Sequence, residues 1–339
     1  MKPYFIFYKQ KFTNRLREYK KHFKIFYPCK VNSTSNIINL VKNEDCGFEV
    51  DSIHMVEKLI KNYDVNPQKI LYNGLIRSKK AIKRAVELGV RLFSIDTFES
   101  IKEFKPYQQN SLSFLVRVSI NSLMGADVNK FEKWGATISQ AKEIADYISK
   151  SEYYALEGFS FYFPKECKTM ERISKALCEV SKLASSYDNV TLDIGGGISI
   201  DEARDIALQL PKPFNYIIEP GRHLVGDCFD LVCNIIDYKK INGKTLVFLD
   251  VGIYSGFIDV IIKDHFFEIE ALEDMDCERI QCFVCGNTSD ISDVLGQYNL
   301  PIKTIVSKSK VIIKGCGAYC PQMHMPFCEH KIFNVYEIK

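Results

Sequence analysis

An alternation of short β-rich runs with longer helix-like segments is the feature of this sequence that most restricts its fold. Eight such units occupy about 220 residues, the number and spacing that a closed (β/α)8 barrel requires. The eight predicted strands are KIFYPCK, GFEVDS, KILYNG, RLFSID, FLVRVSI, EGFSFYF, NVTLDIG and NYIIEPG. A doubly wound open sheet is the alternative, but eight units of such even spacing favour closure.

The pattern changes after residue 222, where predicted strands follow one another with little helix between them. The strands of this second part are DLVCNIIDYKK, KTLVFLDVGIYS, RIQCFVCG and KVIIKG. We therefore predict an α/β barrel over residues 1–222 and a β-rich domain over residues 223–339. Because the first barrel strand begins close to residue 1, we expect no upstream strand to join the second domain.

Charge and hydropathy argue against nucleic acid and membranes as partners. The net charge is +3 over 339 residues, and no block of basic residues occurs. The N-terminal segment lacks an apolar core followed by small residues, so it does not resemble a signal peptide. The most apolar later run, residues 245–262, is interrupted by Asp250 and Asp259 and reads as strands. We expect a soluble cytoplasmic protein.

Twelve cysteines without a secretory signal indicate reduced thiols rather than a disulfide framework. A structural zinc site is the alternative, because Cys282 and Cys285 form a CxxC and Cys316, Cys320 and Cys328 follow. The second pair has CxxxC spacing, however, and QCFVC is strand-like rather than a zinc knuckle. We expect buried thiols and no metal.

Polar and glycine-rich residues collect at the ends of four predicted barrel strands. Lys30 ends the first, Tyr162 the sixth, Gly195, Gly196 and Gly197 the seventh, and Glu219–Arg222 the eighth. The C-terminal ends of barrel strands open on one face, where barrel enzymes carry their active sites. The four segments therefore predict a single site.

The glycine triplet and Gly221–Arg222 together predict a phosphate site. Glycines leave backbone N–H groups uncovered and permit positive φ, and the helix predicted after Ser199 adds its positive end. Arg222 adds a guanidinium, whose fork of donors suits phosphate. Taken singly, the triplet is also explained by a tight turn and Arg222 by a surface charge. Together at the last two strands they match the usual phosphate site of the barrel fold.

Lys30 beside such a site suggests a cofactor that carries both a phosphate and an aldehyde. A partly desolvated lysine loses its proton more readily and becomes a nucleophile toward the aldehyde. A carboxylate such as Glu219 would keep the nitrogen of a pyridine ring protonated, which makes the ring an electron sink. A salt bridge at the barrel end, with Arg117 as partner, is the alternative role for Glu219.

The chain resembles the fold-type III pyridoxal-phosphate decarboxylases that act on ornithine, lysine, arginine and diaminopimelate. The motifs that carry the resemblance, in chain order, are YPCKVNS, KWGA, FSFYFPKEC, LDIGGGIS, EPGRHLV, GNTSD and GAYC. The resemblance runs almost end to end. It implies a barrel followed by an alanine-racemase-like β domain, pyridoxal 5'-phosphate as cofactor, and a head-to-tail homodimer with shared active sites.

The same resemblance implies roles for individual residues. Lys30 corresponds to the lysine that carries the cofactor, Glu219 to the partner of the ring nitrogen, and Gly197, Gly221 and Arg222 to phosphate ligands. Tyr319 corresponds to a further phosphate ligand, expected from the partner chain. Asp290, also from the partner, would contact the distal amino group of the substrate. Phe327 corresponds to an aromatic near the substrate, and core packing is an equal alternative for it.

Four positions depart from the family pattern. Tyr162 replaces a histidine that stacks on the cofactor ring, and an aromatic side chain can still stack. Lys165 replaces a phosphate-binding serine and could bind the phosphate as a point charge. Ser289 replaces the cysteine that returns a proton to Cα. Asp250 lies one residue before the position of the family's substrate-binding aspartate, so its side chain would point the other way along a strand.

The proton donor to Cα is therefore open. A thiol with a pKa near ~8.5 is a usable acid and a serine hydroxyl is much weaker. Cys285, Cys320 or a water could take the role, although either cysteine could equally be inert packing.

We predict a decarboxylase for an amino acid with a second polar or cationic end. Decarboxylation of a specialised siderophore or antibiotic precursor is an alternative, motivated by the changes at 250–251 and 289. A racemase is disfavoured because Glu219 stands where racemases of this fold place an arginine. A non-catalytic regulator, marked by Ser289, is the alternative from a different class, but Lys30, the glycine triplet, Glu219 and Arg222 are all present.

Overall fold

The computed structural model describes residues 2–120, 133–163, 170–209, 214–273, 276–329 and 334–338. The chain begins with strand β1 (Tyr4–Tyr8) and helix α1 (Lys9–Lys20). It divides into two compact units, one comprising residues 16–29 and 37–223, and the other comprising residues 1–15, 30–36 and 224–339. The division therefore differs from a single cut after residue 222, because two N-terminal segments group with the C-terminal part.

The first unit is a closed barrel of eight parallel strands. The strands are β2 (Lys24–Pro28), β3 (Gly47–Val50), β4 (Ile70–Tyr72), β5 (Leu92–Ile95), β6 (Leu112–Arg117), β7 (Tyr154–Ser160), β8 (Thr191–Asp193) and β9 (Asn215–Ile218). Each pairs with its neighbour in chain order, and β9 closes on β2 with Ile218 opposite Ile25. Every one of the eight predicted barrel strands is present, which confirms closure over an open sheet.

Helices cover the outside of the barrel between the strands. They are α2 (Ser35–Asn43), α3 (Ile53–Tyr63), α4 (Lys79–Glu87), α5 (Phe98–Lys102), α6 (Ile138–Ser149), α7 (Met170–Ala184), α8 (Ile200–Gln209) and α9 (Arg222–Val225). Local sequence sets where they begin, since Ser52, Ser78 and Thr97 each accept a backbone N–H at the first turn. Thr137 and Gln140 form a reciprocal capping box at the start of α6.

The barrel interior is filled by large apolar side chains from different strands. One buried cluster comprises Phe26, Leu71, Leu92, Leu115 and Ile217. Burying a side chain of this size contributes about 1.5–3 kcal/mol. The barrel therefore has a packed apolar core.

The second unit is a mixed sheet of eight strands. Besides β1 these are β10 (Phe229–Ile241), β11 (Lys244–Leu249), β12 (Ile269–Ala271), β13 (Arg279–Cys285), β14 (Val294–Pro301), β15 (Lys310–Ile313) and β16 (Asn334–Ile338). Two short helices accompany them, α10 (Asp259–Lys263) and α11 (Ile302–Val306). The four predicted strands of this part are present as β10, β11, β13 and β15.

The N-terminal strand corrects one expectation. β1 pairs antiparallel with β10 and parallel with β16, so a strand upstream of the barrel does join the second unit's sheet. Its alternate side chains Phe5 and Phe7 are buried against Phe229, with ring centroids 6.3 and 4.5 Å away. The alternation of YFIFY is that of a half-buried strand, and its partner lies more than 220 positions away.

The described cysteines are all free thiols, and eight of the eleven are buried. Within the same described residues, no three His, Cys, Asp or Glu side chains are grouped closely enough to hold a metal ion. No helix in the described part of the chain is long and apolar enough to cross a membrane.

Candidate active site

A buried carboxylate lies at the C-terminal end of the barrel strands. Glu219 directly follows β9 and is only 7% exposed. The side-chain amide of Asn73, which directly follows β4, donates to Glu219 Oε1 at 3.1 Å. Asn73 is in turn fixed through its backbone N–H, which bonds to the carbonyl of Val50 at 2.8 Å. Residues from two strand ends therefore orient this carboxylate.

The glycine turn packs directly on the backbone of Glu219. The N–H of Glu219 donates to the carbonyl of Gly195 at 2.8 Å. A Cβ added to Gly196 would lie 2.2 Å from the carbonyl oxygen of Glu219, so only glycine permits this approach. Gly195 and Gly197 have φ of +68° and +77°, in the left-handed region that favours glycine. The turn and the carboxylate thus form one rigid group.

A second carboxylate, Asp193 at the end of β8, supports the turn from within. Its Oδ1 accepts the N–H of Gly195 at 2.9 Å, and the residue is 1% exposed. Burial raises the pKa of Asp193 from 3.8 to about 6, while the Gly195 amide, Glu219 and the charge of Arg117 act in the opposite direction. Arg117 therefore acts electrostatically on Asp193.

Tyr162 stands beside the glycine turn with its ring partly open to solvent. Its side chain is 42% exposed, and a Cβ added to Gly197 would lie 3.3 Å from its ring. Helix α8 begins just after the turn, where Ser199 and Glu202 cap its first residues. Gly221 is buried, and the partly exposed Arg222 is the first residue of α9. We name the barrel residues Asn73, Tyr162, Asp193, Gly195–Gly197 and Glu219–Arg222 the Glu219 group.

Lys30 belongs to the second unit and lies in a turn two residues beyond β2. Its side chain is exposed in the single chain. The expectation that Lys30 is partly desolvated is therefore wrong for one copy of the chain. The neighbours Cys29 and Val31 are buried, at 0% and 1% exposure, so Lys30 is an exposed residue between two buried ones. Directly after it, Asn32 is fixed by a 2.9 Å hydrogen bond from its amide to the carbonyl of Gly317.

Tyr319 lies against this same segment of its own chain. Its backbone N–H donates to the carbonyl of Val31 at 2.8 Å, and its φ is +71°. The Nζ of Lys263 lies 4.7 Å from the centre of its ring. The backbone of Tyr319 thus lies next to the residue after Lys30 in its own chain, and its role as a phosphate ligand from a partner chain stays a prediction.

A second cluster of polar and aromatic side chains occurs in the same unit. The hydroxyl of Tyr254 donates to Asp290 Oδ2, and the ring of Tyr254 packs on Phe327 with centroids 4.3 Å apart. Asp290 Oδ1 also accepts the N–H of Ser292 at 2.8 Å. The hydrogen bond from Tyr254, followed by that from Ser292, lowers the pKa of Asp290. We name Tyr254, Asp290 and Phe327 the Tyr254 cluster.

Asp250 does not join this cluster. Its carboxylate accepts the backbone N–H of Asn234 at 2.8 Å and also the side-chain amide of Asn234. Asp250 follows the last residue of β11, beside an irregularity in the pairing of β10 and β11 near Ile235. Its carboxylate is thus engaged with β10, and a contact between Asp250 and a substrate stays a prediction.

Ser289 is exposed beside Asp290, whereas Cys285 and Cys320 are buried at 8% and 1% exposure. Burial raises the pKa of Cys285, which makes that thiol a weaker acid. Cys328 is exposed and directly follows Phe327. It is therefore nearer in sequence to the Tyr254 cluster than Cys285 and Cys320 are. The remaining predicted site residue, Lys165, lies outside the described residues.

Comparison with known proteins identifies the family. Residues 9–229 match the sequence profile described as "Pyridoxal-dependent decarboxylase, pyridoxal binding domain". The chain belongs to this family. The match covers well over half of the chain and includes both Lys30 and the Glu219 group.

Relatives and solved structures extend the similarity over nearly the whole chain. The diaminopimelate decarboxylase of Helicobacter pylori strain J99 is 25% identical over 354 residues, covering 95% of this chain and 86% of the relative. The ornithine decarboxylase of Schizosaccharomyces pombe is 24% identical, covering 87% and 73%. The crystal structure of Helicobacter pylori diaminopimelate decarboxylase complexed with L-lysine has a TM-score of 0.89 at 22% identity, covering 100% and 92%. The predicted family, fold class, cofactor and enzyme class are confirmed.

The Glu219 group fits pyridoxal phosphate. A glycine turn with two positive φ values and the start of a ten-residue helix offers backbone N–H groups to a phosphate. The exposed face of Tyr162 beside Gly197 can stack on an aromatic ring. A buried carboxylate on the backbone of the same turn can accept a proton shared with a ring nitrogen.

Sequence reasoning did not identify three residues that these contacts make important: Asn73, Asp193 and Tyr254. Asp193 stands inside the motif LDIGGGIS and Tyr254 inside the predicted strand KTLVFLDVGIYS, so membership of these segments was the available signal. Asn73 lies 146 positions from the carboxylate that it holds, and nothing local in KILYNG indicates that pairing.

Proposed function

We propose that this chain decarboxylates an amino acid whose side chain ends in a cationic group, with pyridoxal phosphate as cofactor. The observation that carries the substrate class is the hydrogen bond from Tyr254 to Asp290 beside Phe327. A lowered pKa keeps Asp290 ionised at neutral pH, and an ionised carboxylate is an acceptor for a distal ammonium group. The aromatic rings would contact the aliphatic part of the same side chain.

Two sets of residues would hold the cofactor. We propose that the amine of Lys30 binds the aldehyde carbon, and that Gly195–Gly197, Gly221 and Arg222 bind the phosphate. Lys165 and Tyr319 would add a charge and a hydroxyl to the phosphate site. The support for these assignments is the order and spacing of the motifs, together with the open backbone at the glycine turn.

Bound pyridoxal phosphate would accept the electron pair that the departing carboxylate leaves on Cα. Glu219 would retain a proton at the ring nitrogen, aided by its burial and by the amide of Asn73. Tyr162 would stack on one face of the ring and restrict its tilt. The residues of the chain would thus orient the reacting bond and stabilise charge.

Ser289, one of the four departures from the family pattern, bears on the return of a proton to Cα. We propose that the exposed hydroxyl of Ser289 relays a proton from water, since Cys285 and Cys320 are buried. A hydroxyl is a weaker acid than a thiol, so protonation would be slow and loosely directed. The resemblance also supports a head-to-tail homodimer, in which a second copy contributes to each site.

A substrate panel tests the proposal directly. The purified protein with added cofactor would be incubated with ornithine, lysine, arginine and meso-diaminopimelate, and released carbon dioxide measured. We expect release from at least one of the three substrates with a purely cationic distal end, and none after Lys30→Ala. Release from diaminopimelate alone would contradict the proposed distal group.

Two departures support a second candidate, decarboxylation of a specialised siderophore or antibiotic precursor. Ser289 replaces the family's acid, and Asp250 lies one residue before the family's substrate-binding aspartate and is engaged with Asn234. No release from any panel member, with cofactor retained through gel filtration, would favour this candidate. Loss of the cofactor as well would favour the non-catalytic regulator.

A further inference from the structure

Asp293 is a buried carboxylate that no step of the proposed reaction uses. It is 2% exposed and lies directly before β14, at the end of the segment that follows β13. Its Oδ1 accepts the backbone N–H of Ile253 at 2.7 Å. Its Oδ2 accepts the backbone N–H of Thr288 at 3.2 Å and the hydroxyl of Thr288 at 2.6 Å. One side chain therefore connects two segments of the unit.

Two glycines allow these segments to approach the carboxylate. A Cβ on Gly252 would lie 2.1 Å from Asp293 Oδ1, and a Cβ on Gly286 would lie 2.2 Å from Asp293 Oδ2. Neither glycine has a positive φ, so close approach rather than backbone conformation explains both. The two segments are thus built around the position of Asp293.

Each segment carries one member of the Tyr254 cluster. Ile253, held by Oδ1, directly precedes Tyr254. Thr288, held by Oδ2, lies two residues before Asp290, and the backbone N–H of Asp293 bonds to the carbonyl of Asp290 at 3.1 Å. Hydrogen bonds to a buried charge are stronger than those of an exposed pair. Asp293 is therefore better placed than the Tyr254–Asp290 contact itself to fix the separation of the segments.

We propose that Asp293 is a positioning residue that holds Tyr254 and Asp290 together and thereby sets recognition of the distal group of the substrate. The recognition part of this inference rests on the proposed function, and the positioning part does not. The ligand class is an aliphatic amine with a second ammonium group, because the cluster presents one carboxylate, Asp290, at the hydroxyl of Tyr254, whose ring packs on Phe327.

Hydrogen exchange of the holoenzyme tests the positioning part. In Asp293→Asn one acceptor becomes an N–H donor that faces another donor, so the amide of Ile253 or that of Thr288 loses its acceptor and should exchange about tenfold faster. Thr288→Val, which removes one donor, should loosen residues 286–290 but leave Ile253 unchanged. Leu300→Ala in β14, whose side chain is fully buried, is the control for general destabilisation and should not selectively affect either segment. Unchanged exchange in Asp293→Asn would overturn the proposal.

Binding of cadaverine and pentylamine to the holoenzyme tests the recognition part. These amines have the same chain and differ by one ammonium group. We expect the wild-type protein to prefer cadaverine, and Asp293→Asn and Asp290→Asn to lose that preference to a similar degree. Combining the two substitutions should cause no further loss, because both act on one contact.

The outcomes separate the positioning role from the proposed function. Faster exchange with cadaverine preference retained would overturn the recognition role of Asp293. Faster exchange in a protein that neither prefers cadaverine nor decarboxylates any panel member would support the positioning role and refute the proposed function. Loss of preference in Leu300→Ala to the same degree would overturn the assignment to Asp293.

Discussion

The Glu219 group and the Tyr254 cluster place carboxylates in opposite environments. Glu219 and Asp193 are buried to 7% and 1% exposure, and burial raises the pKa of Asp193. Asp290 is only partly buried, and hydrogen bonds from Tyr254 and Ser292 lower its pKa. The first environment raises the pKa of a carboxyl group, and the second lowers it.

This difference corresponds to two tasks. A residue that keeps a cofactor nitrogen protonated benefits from a rigid, water-excluded site, where small displacements are prevented by packing. A residue that receives the end of a substrate must be reached from solvent and must stay ionised. The departures from the family pattern at positions 250 and 289 lie in the second unit, where the substrate would be recognised and protonated. The other two departures, Tyr162 and Lys165, are expected at the cofactor, so the family pattern is altered for both tasks.

The largest effect is expected for Lys30→Ala. We expect activity to fall by about 10⁴-fold or more, as for removal of other catalytic nucleophiles. The long-wavelength absorbance that the cofactor acquires on binding a lysine amine should also disappear. Lys24→Ala is the matched control, because Lys24 is an exposed lysine at the opposite end of β2. Retention of the absorbance band in Lys30→Ala would contradict the role of Lys30.

Glu219→Gln and Asp290→Asn should affect different kinetic constants. Removing one preorganised charge at the ring nitrogen should lower kcat about 10²- to 10³-fold with little change in KM. Asp290→Asn should mainly raise KM, by about tenfold, for the substrate with a cationic end. Steady-state kinetics on both variants measure kcat and KM separately. A fall in kcat of equal size in both would remove the distinction between the two regions.

The barrel and its glycine-rich strand ends could be predicted because their signals are local. Each strand is a short apolar run, and Gly195–Gly197 sit at the end of one of them. β1 was missed because YFIFY finds its partners on β10 and β16, far away in sequence. Asp293 was missed for the same reason, since Ile253 lies 40 positions before it. Contacts between loops depend on tertiary packing, which periodicity does not encode.

Asp193 gives a pH test of the buried environment. Its folded-state pKa of about 6 exceeds the ordinary 3.8, so the folded protein binds more protons than the unfolded chain between these values. The stability contributed by Asp193 should therefore fall as pH rises through this window, by at most about 3 kcal/mol. In cofactor-free Asp193→Asn the unfolding free energy should depend less on pH between 3.8 and about 6 than in the wild-type protein. At neutral pH it should be higher than that of the wild-type protein.

Asp227→Asn is the control for the pH test. Hydrogen bonds from Arg15 and Lys11 outweigh desolvation and lower the pKa of Asp227 to about 2, so its contribution changes only below 3.8. Urea unfolding between pH 3.8 and about 6 should show the same pH dependence of the unfolding free energy for this variant as for the wild-type protein. A wild-type slope for Asp193→Asn as well would show that Asp193 remains ionised throughout.

The smallest expected effect separates backbone strain from cofactor binding. Gly197 and Gly243 have nearly equal φ, +77° and +75°, but only Gly197 lies beside another side chain, the ring of Tyr162. Alanine at either position should lower the free energy of unfolding by about 1 kcal/mol, because an L-residue is strained at positive φ. Only Gly197→Ala should also weaken cofactor binding, by about tenfold, since its Cβ displaces Tyr162 and crowds the turn that would hold the phosphate. Denaturant unfolding and equilibrium dialysis against pyridoxal phosphate measure the two effects separately. Equal weakening of cofactor binding in both variants would mean that the glycine turn acts through global stability and not as a phosphate site.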